Sequence, residues 1–371
     1  MALGKIKTSP HKEGVMSHMF VPGPVDVAPE VLAAQTKPML PHRSKDFEAI
    51  FQRTEAKAKD LFYTNTRVFQ ASSSGSGMQE AGIRNFVQAS VLTCVNGSFS
   101  QRWNDVAIGN GKKADKIEVE MGEAITPEML RDALKQKHYE AVTIVHNETS
   151  TGVENPIKEM CDVVHEVSPD TLILVDAVSS LGGVKIEMDA LGIDFLLTSS
   201  QKCLALPPGL ALAAASDRAM KKAESVTNRG WYFDLVLMEK HRLKDSTPMT
   251  PVMPLIFALD FQLDRIFAEG LDNRFARHAA MAKKVQDWSI ARGMEPLAKE
   301  AYRSKTVVTV KNSLNWDISA LNKFLQTRGM RIANGYGKIK DITFRIATMG
   351  ETQLSDVDAL LAGMEEFIKQ S

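Results

Sequence analysis

Residues 194–216 read DFLLTSSQKCLALPPGLALAAAS. Two apolar runs of strand length enclose a turn marked by Pro207, Pro208 and Gly209. Runs that stay hydrophobic throughout, instead of alternating, are typical of strands covered on both faces. Lys202 breaks the pattern: it follows the first run closely, and no Asp or Glu stands within five positions of it on either side. Lysine is among the side chains least often buried without a partner. Its partner must come from elsewhere in the fold or from a ligand.

The same texture extends outward on the N-terminal side. Strand-like runs occur at 68–73 (VFQASS), 90–95 (SVLTCV), 115–120 (DKIEVE), 141–146 (AVTIVH) and 172–176 (LILVD), before those at 194–199 and 210–216. Helical patterns lie between them, such as PEMLRDALKQK (127–137) and PIKEMCDVVHEV (156–167), each opening on a proline suited to a first helical turn. Strand–helix alternation of this kind predicts an α/β fold with a mainly parallel sheet. Beyond about residue 260 a long charged helical stretch (259–293) precedes strand TVVTVK (306–311), a helix at 317–329, strand ITFRIAT (342–348) and a last helix at 355–370. This second pattern predicts a smaller α+β domain. The expected division is an N-terminal arm at 1–20, a large domain at 21–262 and a small C-terminal domain at 263–371.

Composition narrows the class. The chain has 371 residues, 24% charged and 44% hydrophobic, and its 45 Lys plus Arg balance 45 Asp plus Glu. No global basic surplus points to nucleic acid or to an anionic membrane. The first twenty residues lack the apolar core of a signal peptide, and no apolar run approaches the ~18 residues of a membrane span. Three cysteines, Cys94, Cys161 and Cys203, show no metal-ligand spacing, which fits a reducing cytoplasm. Sequons at Asn96 and Asn147 are read as chance matches in a chain without a secretory signal.

In an open parallel sheet, ligands bind beyond the carboxyl ends of the strands, so the residues that follow each strand carry the chemistry. After VFQASS comes Ser74-Gly75-Ser76-Gly77, opening a helix. Small residues at such a turn let backbone N–H groups approach an anion, although an ordinary turn reads the same way. Glu80 stands where a dinucleotide fingerprint needs glycine, and there is no GxxxxGK[ST] stretch. Phe99 follows SVLTCV, either as a core aromatic or as a platform for a flat ligand. The polar run Asn147–Gly152 follows AVTIVH. Asp176 ends LILV, where a buried carboxylate must be paired or ligand-bound. Asp176 and Lys202 thus close consecutive strands. An anion cradle, an aromatic platform, a strand-end carboxylate and a strand-end lysine together match the needs of pyridoxal 5'-phosphate (PLP): Schiff-base lysine, partner for the ring nitrogen, and phosphate turn.

The chain closely resembles the class V, fold-type I PLP-dependent aminotransferases of the alanine/serine–glyoxylate (serine–pyruvate) group, over nearly its whole length. The resemblance is carried by Pro22-Gly23-Pro24, His42-Arg43-Ser44, SSGSGMQEA (73–81), VHNETSTG (145–152), VDAVSSLGG (175–183) and SSQKCLALPPGL (199–210). It implies a large, mainly parallel seven-stranded sheet domain with a smaller C-terminal α+β domain. It also implies transamination from serine or alanine to a 2-oxo acid such as glyoxylate or pyruvate, by ping-pong exchange through pyridoxamine phosphate. Lys202 becomes the Schiff-base lysine and Asp176 the partner of the pyridinium nitrogen. Ser76, Gly77 and Met78 match the phosphate turn, Phe99 the stacking position, Thr149 a hydroxyl for the ring oxygen and Gln201 a second phosphate contact. Met78 departs from the polar or smaller residue of several relatives, which spares backbone contacts there and removes side-chain ones. Arg345 matches the arginine that clamps the substrate carboxylate, and its planar fork suits that task. Thr250, with Thr247 competing, lies in the segment such enzymes extend to the partner's cofactor in a homodimer.

Two other functions stay open at this stage. A phosphoserine aminotransferase would need cations for a second anion, and His42 and Arg43 are the candidates. A non-catalytic subunit on the same scaffold would be expected to lose Lys202, Asp176 or Arg345, and all three are present. Cysteine desulfuration is disfavoured because the last cysteine, Cys203, adjoins the lysine.

Overall fold

Thirteen strands order the chain in the computed structural model, which describes residues 18–370. In sequence they are β1 (His18–Phe20), β2 (Arg67–Ala71), β3 (Ser90–Val95), β4 (Lys113–Glu118) and β5 (Ala141–Val145). There follow β6 (Asn147–Glu148), β7 (Val153–Glu154), β8 (Leu172–Asp176), β9 (Phe195–Ser199) and β10 (Ala211–Ala215). The last are β11 (Val307–Lys311), β12 (Met330–Asn334) and β13 (Thr343–Ala347).

The large sheet has seven strands in the order β2-β10-β9-β8-β5-β3-β4. From β4 to β9 every neighbouring pair is parallel, and β10 is antiparallel to both β9 and β2. The reversal at β10 follows from its connection: the short Ser200–Leu210 turn leaves no room for the crossover a parallel return needs. Strands β5, β8, β9 and β10 are buried at every position, as their unbroken apolar runs require. One edge of the sheet is β4, whose exposed Lys113, Asp115 and Lys116 discourage pairing with another chain, and the other is β2. Strand β4 begins two residues earlier than the DKIEVE pattern suggests.

Helices cover both faces. Phe86 and Trp103, on helices Gly75–Phe86 and Ser98–Gly109, share one core with Phe69, Leu174 and Phe195. Phe47, Leu130, Met160 and Phe257, from four other helices, share the opposite core with Val142, Ile173 and Leu196.

The smaller sheet is ordered β1-β12-β13-β11, with β1 parallel to β12 and the other pairs antiparallel. Two of its strands were not legible in the sequence pattern. Strand β12 follows a helix without a long apolar run, and β1 is held by tertiary pairing alone. Residues 18–20 of the expected arm therefore belong to this sheet, with Phe20 in its core, and residues 1–17 lie outside the described residues. The expected single helix at 259–293 divides at Gly270 (φ +83°) into Met253–Glu269 and Leu271–Ala291. Leu263 and Ile266 pack in the large core, whereas Met281 and Val285 pack in the small one. The change of core comes at Gly270, several residues beyond the boundary expected at 262. Among the described residues no helix is long and apolar enough to cross a membrane.

Phe195 is fully buried and meets Phe86 edge-on, ring centroids 5.2 Å apart at 61°. Replacing it with alanine is expected to lower the unfolding free energy by roughly 3–5 kcal/mol, read from urea denaturation. A loss under about 1 kcal/mol would mean that this core does not carry the large sheet.

Candidate functional site

The carboxyl ends of the parallel strands open onto a cavity of about 230 Å³. Lys202, Asp176, Gln201, Phe99, Thr149 and Ser76 all line it. The six come from five separate segments, Gln201 and Lys202 sharing one, and parallel pairing brings them to one edge.

Lys202 sits where the chain leaves β9. The turn beyond it closes on itself: Ser200 N–H donates to Leu210 O at 2.9 Å, Ser200 Oγ to Pro207 O at 2.7 Å, and Ala205 N–H to Lys202 O at 2.9 Å. LALPPG is thus a packing turn that fixes the backbone of the lysine. The amine donates to the carbonyl of Pro22. Burial pushes the Lys202 amine down to about 8, with Arg345 and Arg102 acting in the same direction against Cys203 and Asp176.

Asp176 ends β8, next to β9 in the sheet. Gln79 Nε2 donates to its Oδ2 at 2.7 Å and Val178 N–H to its Oδ1 at 2.8 Å. Burial raises the carboxyl to about 6 in spite of those two bonds. Among the described residues no cation is bonded to it.

Ser74, Gly75 and Ser76 begin helix Gly75–Phe86, which has no side-chain cap on its first turn. Those N–H groups remain available to an anion. Gly77 and Met78 do not line the cavity. A Cβ at Gly77 would run into Ser73 Oγ, so this glycine is a packing requirement. Met78 is wholly buried in the core and its N–H bonds Ser74 O at 3.3 Å.

Phe99 lies at the start of helix Ser98–Gly109, on a support that the sequence did not announce. Glu148 is fully buried and accepts from Phe99 N–H (3.2 Å), Ser100 N–H (2.8 Å), Ser100 Oγ (2.8 Å) and Ser150 Oγ (2.6 Å). A carboxylate there also complements the helix dipole. Thr149 donates through Oγ1 to Ser179 Oγ at 2.9 Å. Asn147, which lines the cavity too, donates to Ser179 Oγ at 2.7 Å.

Arg345, on β13, is buried directly behind Thr149. Its Nε donates to Asn334 O at 3.0 Å and one terminal nitrogen reaches Thr149 O at 3.4 Å. Burial lowers its guanidinium to about 10, opposed by Tyr336 and Glu148. Thr250 is exposed and Thr247 is buried against Met249 O (2.7 Å), and neither lines this cavity. Nor do His42 and Arg43.

Gln79, Arg102 and Glu148 went unrecognised in the sequence. Gln79 had a signal, since it stands one helical turn after Ser76. Arg102 lies one turn after Phe99, with its guanidinium 4.8 Å from that ring and 3.2 Å from Ser76 Oγ. Glu148 had none, because two of its three donor residues, Phe99 and Ser100, become its neighbours only in the fold. Among the described residues no cluster of His, Cys, Asp or Glu could hold a metal.

Residues 30–349 match the family described as aminotransferase class-V. An aminotransferase of uncharacterised activity from Methanocaldococcus jannaschii is 36% identical over 96% of this chain and 94% of its own. An L-aspartate–glyoxylate aminotransferase from Paracoccus denitrificans is 33% identical over 92% of this chain and 88% of its own. The solved structure of an alanine–glyoxylate aminotransferase from Nostoc sp. superposes with a TM-score of 0.90 at 28% identity, covering 99% of this chain and all of that one.

The lowered amine gives a direct test. In ligand-free protein at pH 8, limiting reductive methylation is expected to label Lys202 ahead of exposed lysines, which titrate near 10.4. The free-base fraction of Lys202 passes its midpoint at about 8 and then levels off, while theirs continues to rise. Peptide mass spectrometry across pH 6–10 reads both curves, and a Lys202 curve that climbs with the others would show an ordinary amine.

Proposed function

Since this chain belongs to the class-V aminotransferases, which work with pyridoxal 5'-phosphate, we propose that it transfers an amino group from a small amino acid, serine or alanine, to a 2-oxo acid such as glyoxylate or pyruvate. The observation that carries this reading is the convergence of the Lys202 amine and the Asp176 carboxylate on one cavity, beside an uncapped helix terminus.

The residues present fit the cofactor. Lys202 would hold its aldehyde, and Asp176, buried and without a bonded cation, would take up its ring N–H. The free N–H groups at Ser74–Ser76 suit its phosphate. Gln201 lines the cavity beside the lysine, where its side-chain NH2 would donate to the phosphate as a second contact. Phe99 offers a flat apolar face, and Thr149 a hydroxyl for the ring oxygen. When bound, PLP supplies an electron-accepting ring that stabilises the charge left as the substrate Cα loses its proton.

The chain's own groups do the rest. An amine poised near 8 can take that proton and return it close to neutral pH, which an ordinary lysine does poorly. Asp176, a buried anion, favours a positive charge at the ring nitrogen. The Arg345 guanidinium would receive the substrate carboxylate through its free N–H groups. The glyoxylate acceptor is supported by the Paracoccus and Nostoc proteins, an aspartate–glyoxylate and an alanine–glyoxylate aminotransferase, which differ in donor and share that acceptor. His42 and Arg43, the candidate cations for a phosphoserine substrate, do not line the cavity, whereas Arg345 adjoins Thr149, which does. A cytoplasmic homodimer in which Thr250 reaches the partner's phosphate completes the proposal. It is supported by the exposure of Thr250 and by three buried, unpaired cysteines.

The test is a matrix of amino donors against keto acceptors, run on protein loaded with PLP. Serine or alanine with glyoxylate is expected to give the highest kcat/KM. Lys202→Ala should abolish both turnover and the visible band of lysine-bound cofactor, and Asp176→Asn should lower kcat by roughly 10²-fold or more. The absence of any visible band in the wild type would refute the cofactor site, and a preference for phosphoserine would displace the small-substrate reading.

A further inference from the structure

Aromatic and cation–π contacts link four side chains beside the cavity. The Arg102 guanidinium lies 4.8 Å from the Phe99 ring centroid. Phe99 and Tyr336 are stacked 5.3 Å apart at 22°. The Tyr336 ring lies 5.3 Å beneath the guanidinium of Arg345. Phe99 belongs to a helix of the large sheet, whereas Tyr336 stands between β12 and β13 of the small one, so these contacts cross from one core to the other. A second contact presses the same loop onto the same helix. Gly337 (φ +59°) comes so close to Ser98 that a Cβ would sit 2.7 Å from its hydroxyl oxygen.

This geometry matters for Arg345. A guanidinium held over an aromatic ring is steadied by that ring and still has N–H groups for a planar, two-oxygen partner. Two of those N–H groups are already directed at Asn334 O and Thr149 O, which together with the ring fix the plane. The ring beneath it is itself stacked on Phe99, the wall of the cavity.

We propose that Tyr336 is a positioning residue that holds Arg345 in its carboxylate-receiving orientation and ties that orientation to the Phe99 platform. The inference rests on the aminotransferase reading, in which Arg345 meets the substrate carboxylate. Tyr336 does not itself line the cavity. Its effect falls on both half-reactions alike, because amino donor and keto acceptor share the carboxylate. The ring face, and not the hydroxyl, performs the task, since no hydrogen bond ties the phenol to Arg345.

The test uses the PLP-loaded enzyme with its best donor–acceptor pair, and propionate (alanine without its amino group) as an unreactive carboxylate probe. Tyr336→Leu is expected to raise KM for donor and acceptor together, and the inhibition constant of propionate with them, by roughly 3- to 30-fold. kcat and the visible cofactor band should stay near the wild type. Tyr336→Phe should restore all three constants. In a double-mutant cycle with Arg345→Lys, the two losses should fall well short of additive. Tyr336→Gln removes the ring in a second way if the leucine variant does not fold. Unchanged KM and propionate inhibition in a folded ring-less variant would overturn the proposal, and so would a phenylalanine variant that fails as leucine does. A loss confined to kcat or to cofactor retention would overturn it as well. A wild type without transamination would instead refute the function on which it rests, before Tyr336 is reached.

Discussion

Parallel strand pairing is the constraint on which the site depends. Strands β5, β8 and β9 run side by side in one direction, so their carboxyl ends fall on one edge of the sheet. The chain must leave each strand there, and polar residues that would be misplaced within an apolar strand are tolerated at its exit. Asp176 and Lys202 meet at one cavity for that reason. Both pay a desolvation penalty, which moves the amine down to about 8 and the carboxyl up to about 6. The same burial that makes these positions costly for a structural charge underlies the proposed roles, proton transfer for Lys202 and charge stabilisation for Asp176.

Around that edge the protein spends most of its polar contacts on holding things still. Glu148 is sealed from solvent and surrounded by backbone N–H and hydroxyl donors from Phe99, Ser100 and Ser150. Ser179 accepts from both Thr149 and Asn147 and donates to Asn147 O at 2.9 Å. On the far side of the lysine, the buried guanidinium of Arg274 donates to Cys203 O at 2.8 Å and Gly182 O at 3.0 Å. It also pairs with Glu269 at 2.7 Å, so the first long helix beyond Gly270 is anchored beside the lysine turn. Buried charges of this kind are tolerated only when fully partnered, and fixed geometry is what they return.

How much was legible varied with the range of the interaction. The unbroken apolar runs of β5, β8, β9 and β10 announced buried strands, because covering both faces leaves no polar positions. Turn and cap chemistry placed helices Pro127–Gln136 and Ile157–Val167 to within a residue or so. Strand β1 was not legible: its three residues gain their conformation from pairing with β12, some three hundred positions away. Within the site, Lys202, Asp176 and Phe99 could be picked out at strand ends or just beyond them, and Arg345 through the family resemblance. Met78 could not be separated from Ser76 by spacing, since only the helix's rotation decides which of them turns into the core.

The sequence by itself determined the alternation of strands and helices, the positions at which charged and polar residues leave buried strands, and the resemblance that joins them to one chemistry. These are local properties, written in hydrophobic periodicity and in short motifs. Only the tertiary structure decided which polar atoms find partners. It set Glu148 beneath Phe99, Gln79 against Asp176 and Tyr336 between Phe99 and Arg345. Such pairings join residues far apart in the chain, and a buried side chain's energy depends on neighbours that no local stretch specifies.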